Sequence, residues 1–145
     1  MSDVGEELTR WSVRLALVFY FSFAVVRLQS RQRRVQVARG LWSLGCLAYL
    51  AHVAFAFGFY HHWSHQEALA HTARRTLETT GINWGGGLYF NYLFTAVWLA
   101  DVLWWWIRPT SYQHRPGWIG RSLHVFMLWM IANATVVFES GPTRW

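Results

Sequence analysis

The chain has 145 residues, of which 54% are hydrophobic and only 14% charged, whereas a soluble domain carries about 25% charged residues. The length allows one domain and no separate soluble module. The net charge of +6 comes from thirteen arginines with no lysine. These arginines gather at the edges of apolar stretches, so the charge reads as membrane topology and not as a nucleic-acid footprint.

The first ten residues are acidic and lack the basic region and small-residue cleavage site of a signal peptide. Four hydrophobic stretches then follow, at about 11–28, 41–60, 87–107 and 118–138. Each is close to the roughly 20 residues that span a hydrocarbon core. Arg14 lies one turn inside the first stretch, where its side chain can snorkel to the interface. Pro109, Pro116 and Pro142 all fall outside the stretches, as punctuation should. The connection between the second and third stretches is the only long one. From about Ser64 to Thr80 its composition predicts a short surface helix, ended by Gly81. The segment Asn83-Trp84-Gly85-Gly86-Gly87 reads either as a flexible re-entry or as a close backbone approach to something else. The expected fold is an all-α, four-helix transmembrane bundle with a short interfacial helix between the second and third spans.

Arginine counts orient the spans. Arg27, Arg31, Arg33, Arg34, Arg39, Arg108, Arg115 and Arg121 lie on one side, with no acid among them. Arg10, Arg14, Arg74, Arg75 and Arg144 lie on the other, together with six of the seven acids. The positive-inside rule puts the first set in the cytoplasm and both termini outside. The composition suggests a bacterial cytoplasmic membrane. Tryptophans frame the spans. Trp11, Trp63, Trp84 and Trp145 are expected at the outer interface. Trp42, Trp104, Trp105, Trp106 and Trp118 are expected at the inner one, with Trp98 and Trp129 deeper in the core. The single cysteine, Cys46, permits no intrachain disulfide and packs as a small apolar side chain.

Ionisable residues inside spans are costly and point to function or to packing. His52, Asp101 and His124 are the three. Asp101 and His124 sit at one depth, each about 9 Å from the inner end at 1.5 Å per residue. They are expected to pair, either as an interhelical hydrogen bond or as half of a proton relay. His52 and His124 are the intramembrane candidates for haem b ligation, although His52 lies about 9 Å higher.

A second cluster lies just outside the second stretch, where His61, His62, His65 and His71 fall within eleven residues. If the helix continues, His61 and His65 share a face, and Glu67, His71 and Glu78 share another. Imidazole with carboxylate suits zinc, copper or iron, and three ligands with an open position is the pattern of catalytic zinc. Glu139 is within reach of the same region. The paired histidines are similar to one histidine box of the membrane di-iron hydroxylases and desaturases. That family carries several boxes on the cytoplasmic side, whereas this chain has one, on the outer side. No nucleophile elbow, P-loop or paired-cysteine site is present. Two functions follow. One is a metal- or haem-binding membrane protein in redox or metal handling. The other is a non-catalytic subunit of a larger membrane assembly, with lipid and further protein copies as partners.

Overall fold

Acidic residues at the start of a helix complement its dipole, and Glu6 and Glu7 do this near the start of α1 (Asp3–Leu28) in the computed structural model. The helix therefore begins well before the apolar stretch does, helped by an ion pair between Arg10 and Glu6 one turn apart. The structure describes residues 3–28 and 34–138. Arg31, Arg33, Glu139, Pro142, Arg144 and Trp145 lie outside the described residues.

Every regular element among the described residues is helical. Helix α2 (Arg34–Phe55) runs into a π-helical turn (Ala56–Tyr60). Helix α3 (His65–Thr80) is the surface helix read from the sequence. Helix α4 (Gly87–Ile107) has the bounds expected for the third stretch. A short α5 (Pro109–Gln113), not expected from the sequence, opens on a proline, the residue best suited to a first helical position. Helix α6 (Gly117–Phe138) covers the fourth stretch. Two helical segments, Val4–Leu28 and Arg34–Tyr60, are long and apolar enough to cross a membrane.

The chain divides into two units, Met1–Trp63 with Trp98–Pro109, and Ser64–Val97 with Thr110–Trp145. In the first unit α1 and α2 run antiparallel. A Cβ at Gly5 would meet Phe59, and Phe19 faces Gly45. Further along, Tyr20 and Phe23 meet the Trp42 ring. The second half of α4 joins them with Trp98, Asp101 and Trp105 on one stripe, all buried. Trp98 lies on the ring of Tyr49, and Trp105 meets Phe23 edge-on.

The burial pattern of α1 departs from that of a helix in water. Its inward stripe includes Thr9 and Ser12 beside Ala16, Tyr20 and Phe23. Its outward stripe is Trp11, Leu15, Val18, Phe21 and Val25. Arg14, over the Trp11 ring, is the one charge among them, and an apolar face of this extent is out of place on a monomeric soluble protein.

The second unit packs α3 against α6. Phe90 meets Trp129 and Phe94 meets Phe126, so the first half of α4 runs antiparallel to α6. Leu123, Met127 and Met130 form the buried stripe of α6, at the i, i+4, i+7 spacing of one helix face.

The tryptophan assignment needs three corrections. Trp42 and Trp105 are core residues, 1% and 2% exposed, and not belt residues. Each faces inward on its helical stripe, and the ring is large enough to fill the gap between three helices. Trp129 is 46% exposed and not a core residue, because Leu123, Met127 and Met130 take the inward face of α6.

Gly45 lies at a close approach between α2 and its neighbours. A Cβ there would stand 3.0 Å from the Trp98 ring and 3.4 Å from Phe19 Cβ. Gly40 on the same helix has nothing within 4 Å. Gly45→Val is expected to lower the unfolding midpoint in detergent, with an overpacking cost of about 1–3 kcal/mol. Gly40→Ala is expected to be neutral or to stabilise by up to about 1 kcal/mol. Thermal unfolding followed by circular dichroism separates the two, and equal midpoints would contradict this packing.

Candidate functional site

Polar groups in the first unit collect at two levels. At the lower level Asp101, 7% exposed, accepts a hydrogen bond from the Trp42 indole N–H, with Nε1 to Oδ2 at 2.9 Å. The indole is held by Phe23, Tyr20 and Trp98, whose ring centroids lie 4.5, 6.0 and 5.1 Å away. The donor reaching the carboxylate is thus fixed by an aromatic cage, and the bond ties α2 to α4. Sequence reading placed Trp42 at the membrane edge and missed it as a partner. The signal was available, since Trp42 falls on the small-residue stripe Ala38-Trp42-Gly45-Cys46, the buried face of α2.

At the upper level the Thr9 carbonyl accepts two side-chain hydrogen bonds. One comes from Ser12 Oγ at 3.0 Å and the other from His52 Nδ1 at 2.9 Å. A carbonyl cannot donate, so the proton sits on Nδ1 and Nε2 keeps the ring's lone pair. Thr9 itself donates to the Gly5 carbonyl at 2.8 Å. Tyr49 lies beside the His52 ring with centroids 6.0 Å apart. Asp101 and His52 belong to the first unit and His124 to the second.

The outer histidines are also divided between the units. His61 and His62 close the first, whereas His65, Glu67 and His71 are on α3 in the second. The helix does not continue through this segment, contrary to the premise that put His61 and His65 on one face. The π-helical turn ends at Tyr60, and His62 and Trp63 take left-handed φ values of 46° and 59°. The Trp63 N–H donates back to the Phe57 carbonyl at 2.9 Å, which reverses the chain.

A new helix starts at Ser64, whose Oγ accepts from the Glu67 N–H at 3.2 Å. Ser64-His65-Gln66-Glu67 has the spacing of a capping box, and its Ser64 half is formed. At the far end Gly81 takes φ +76° and donates to the Leu77 carbonyl at 2.9 Å. This is the left-handed cap that glycine favours. Among the described residues no group of three His, Cys, Asp or Glu side chains is placed to hold a metal ion.

His65 does have a built environment. Its Nδ1 and the Tyr92 hydroxyl are hydrogen-bonded at 2.9 Å, and the two rings stack with centroids 5.8 Å apart. Tyr89 flanks the same imidazole at 5.9 Å. Beside it runs an open groove of about 610 Å³ lined by Gln66, Leu69, Trp84, Gly85, Tyr89 and Phe90, among others. The glycine run makes the groove possible by close approach. A Cβ at Gly85 would stand 2.8 Å from the Leu69 carbonyl oxygen, and one at Gly87 would stand 3.2 Å from Thr72. A Cβ at Gly86 would collide with the Trp84 indole.

Trp42→Phe keeps an aromatic ring in the cage but removes the indole donor and part of the buried ring volume. It is expected to cost at least about 1–3 kcal/mol, from the lost hydrogen bond and the cavity left behind. Asp101→Leu in the same background removes the acceptor too and is expected to recover part of that loss. Midpoints of thermal unfolding in detergent check both, and a Trp42→Phe protein as stable as wild type would show that the bond carries no stability. No family model matches the chain, and no curated protein or solved structure shows significant similarity to it.

Proposed function

We propose that this chain is a four-span integral membrane protein that serves as a non-catalytic subunit of a larger membrane assembly. The observation that carries this reading is how its buried polar groups are used. Asp101 is held by Trp42, and His52 is held by the Thr9 carbonyl. Thr9 and Ser12 bond to backbone within α1. The Asp101 and His52 bonds join helices. Polar side chains in spans serve in this way as interhelical contacts.

The four spans are α1, α2, α4 and α6. The last two have 21 and 22 residues, enough to cross a core of about 30 Å at 1.5 Å per residue. Tryptophan and tyrosine lower the hydropathy of α4, yet these residues favour membrane interfaces. The outward apolar face of α1 then meets lipid. The arginine-rich connections face the cytoplasm of a bacterial inner membrane, and both termini and α3 face outward.

A second reading has one specific observation in its favour. His52 donates from Nδ1 to a backbone carbonyl, the arrangement that orients a metal-ligating histidine and leaves Nε2 for the metal. On that reading the chain handles a transition metal or haem b. His52 and His124 are then the haem candidates, and His61, His62, His65, His71 and Glu67 the outer metal candidates.

Topology is tested with single cysteines in a Cys46→Ser background. Thr80→Cys is expected to react with an impermeant maleimide in intact cells. Thr110→Cys is expected to react only after permeabilisation. The reverse pattern would invert the orientation, and reaction of both in intact cells would exclude four spans.

Function is tested on wild-type protein extracted in mild detergent. Migration with a partner at fixed stoichiometry, without stoichiometric metal, is the expected result. Zinc, copper or iron lost in the His65→Ala/His71→Ala double variant would favour the second reading. So would a Soret band lost in His52→Ala.

A further inference from the structure

We propose that Arg39, seated on the ring of Trp106, binds the phosphate of an anionic phospholipid headgroup. The inference rests on the orientation proposed above, which puts this end of the first unit at the inner face of the membrane.

Each part of the site is held in place. The guanidinium carbon of Arg39 lies 4.0 Å from the centre of the Trp106 ring. The Trp106 indole N–H donates to Ser43 Oγ at 2.9 Å. Ser43 Oγ donates in turn to the Arg39 carbonyl at 2.9 Å. A two-helix brace between α2 and α4 thus fixes the indole, and the indole fixes the guanidinium. One Arg39 nitrogen donates to Gln36 Oε1. Gln36 is neutral, so the charge is not cancelled.

Among the described residues no carboxylate pairs with Arg39. The opposite side differs, because there Arg10 pairs with Glu6 and Arg75 with Glu78. Arg27, Arg34 and Arg108 share the basic side, and the sequence adds Arg31 and Arg33 to the same connection without an acid. The surface therefore lacks the counter-charge that the outer side supplies from its own chain.

The chemistry and the level both fit a headgroup. Stacking covers the flat face of a guanidinium and leaves its in-plane N–H fork for a phosphate. Trp106 is one residue from the end of α4, and Arg39 is two residues before the second apolar stretch, about 3 Å from its edge. The cytoplasmic leaflet carries anionic lipid, which attracts basic residues placed at this depth.

The test is native mass spectrometry of the full chain in micelles holding equal amounts of phosphatidylglycerol and phosphatidylcholine. Wild type is expected to retain phosphatidylglycerol in preference. Arg39→Gln is expected to lower that preference about fivefold, which is about 1 kcal/mol at 1.4 kcal/mol per tenfold. Arg39→Lys keeps the charge and loses the fork, so an intermediate value is expected. Arg27→Gln, an exposed arginine at the same end, is expected to change the preference much less.

An unchanged preference in Arg39→Gln would overturn the proposal, as would an equal fall in Arg27→Gln. Binding of inorganic phosphate in phosphatidylcholine micelles at the strength of phosphatidylglycerol would also overturn it, in favour of a free anion. If Arg39→Gln does not fold, Arg39→Lys and Trp106→Leu report the same ratio, and a wild-type preference in both would count against the site. The cysteine-labelling pattern tests the orientation separately, so its failure and that of the lipid site are distinguishable.

Discussion

A carboxylate in an apolar interior must be given hydrogen-bond donors or be neutralised. The first unit is arranged around that constraint. Asp101 faces α2, and the donor that meets it is an indole. An indole has one N–H and a large apolar body, so it gives the acid a hydrogen bond and carries no charge of its own. The body then has to be packed, and Tyr20, Phe23 and Trp98 surround it. One polar contact in this way fixes which faces of three helices turn inward. It also accounts for Gly45, which leaves room for the Trp98 ring.

The same rule operates at the other end of α1 with weaker groups. Thr9, Ser12 and His52 carry hydroxyls and a neutral imidazole, and backbone carbonyls satisfy them. A carbonyl has two lone pairs, so Thr9 can accept from Ser12 and His52 together. The result is a helix that buries Thr9 and Ser12 beside Ala16, Tyr20 and Phe23 and leaves Trp11, Leu15, Val18, Phe21 and Val25 outside. Lipid permits such an outward face, because it does not repel hydrocarbon while unpaired polar groups stay costly in it. The proposed membrane reading explains this sorting.

Hydrophobic length and glycine or proline punctuation made the helices legible in the sequence, and α3, α4 and α6 lie within a residue of where these signals put them. Helix starts were less legible. Alpha-1 begins several residues before its apolar stretch, where acids favour the helix dipole, and α2 begins early as well, at Arg34, with no acid in its first turn. The site residues fared differently. Spacing alone put His61 and His65 on a common helix, but spacing carries that meaning only where the backbone stays helical. The left-handed residues His62 and Trp63 break it. The close approaches at Gly85 and Gly87 could not be separated from a flexible re-entry without knowing what lies opposite. The partner of Asp101 was hidden because tryptophan is both an interfacial and a core residue, and composition does not tell the two apart.

In the proposed orientation, charge is managed differently on the two sides of the membrane. On the proposed outer side, Arg10 and Arg75 find acids one turn away on their own helices. Such exposed pairs contribute little energy, but they leave little net field for a lipid or partner to read. On the proposed inner side no carboxylate among the described residues pairs with Arg39, and its guanidinium lies over the Trp106 ring instead. An aromatic face lowers the cost of holding a guanidinium at an interface without neutralising it. A chain that positions a cation so firmly and supplies no counter-charge leaves that counter-charge to its surroundings. At the inner face of a membrane, the surroundings at phosphate depth are anionic headgroups. The arginine bias that would orient the protein and the stacked arginine that would bind lipid are then one feature, seen at the scale of the whole chain and at the scale of one side chain.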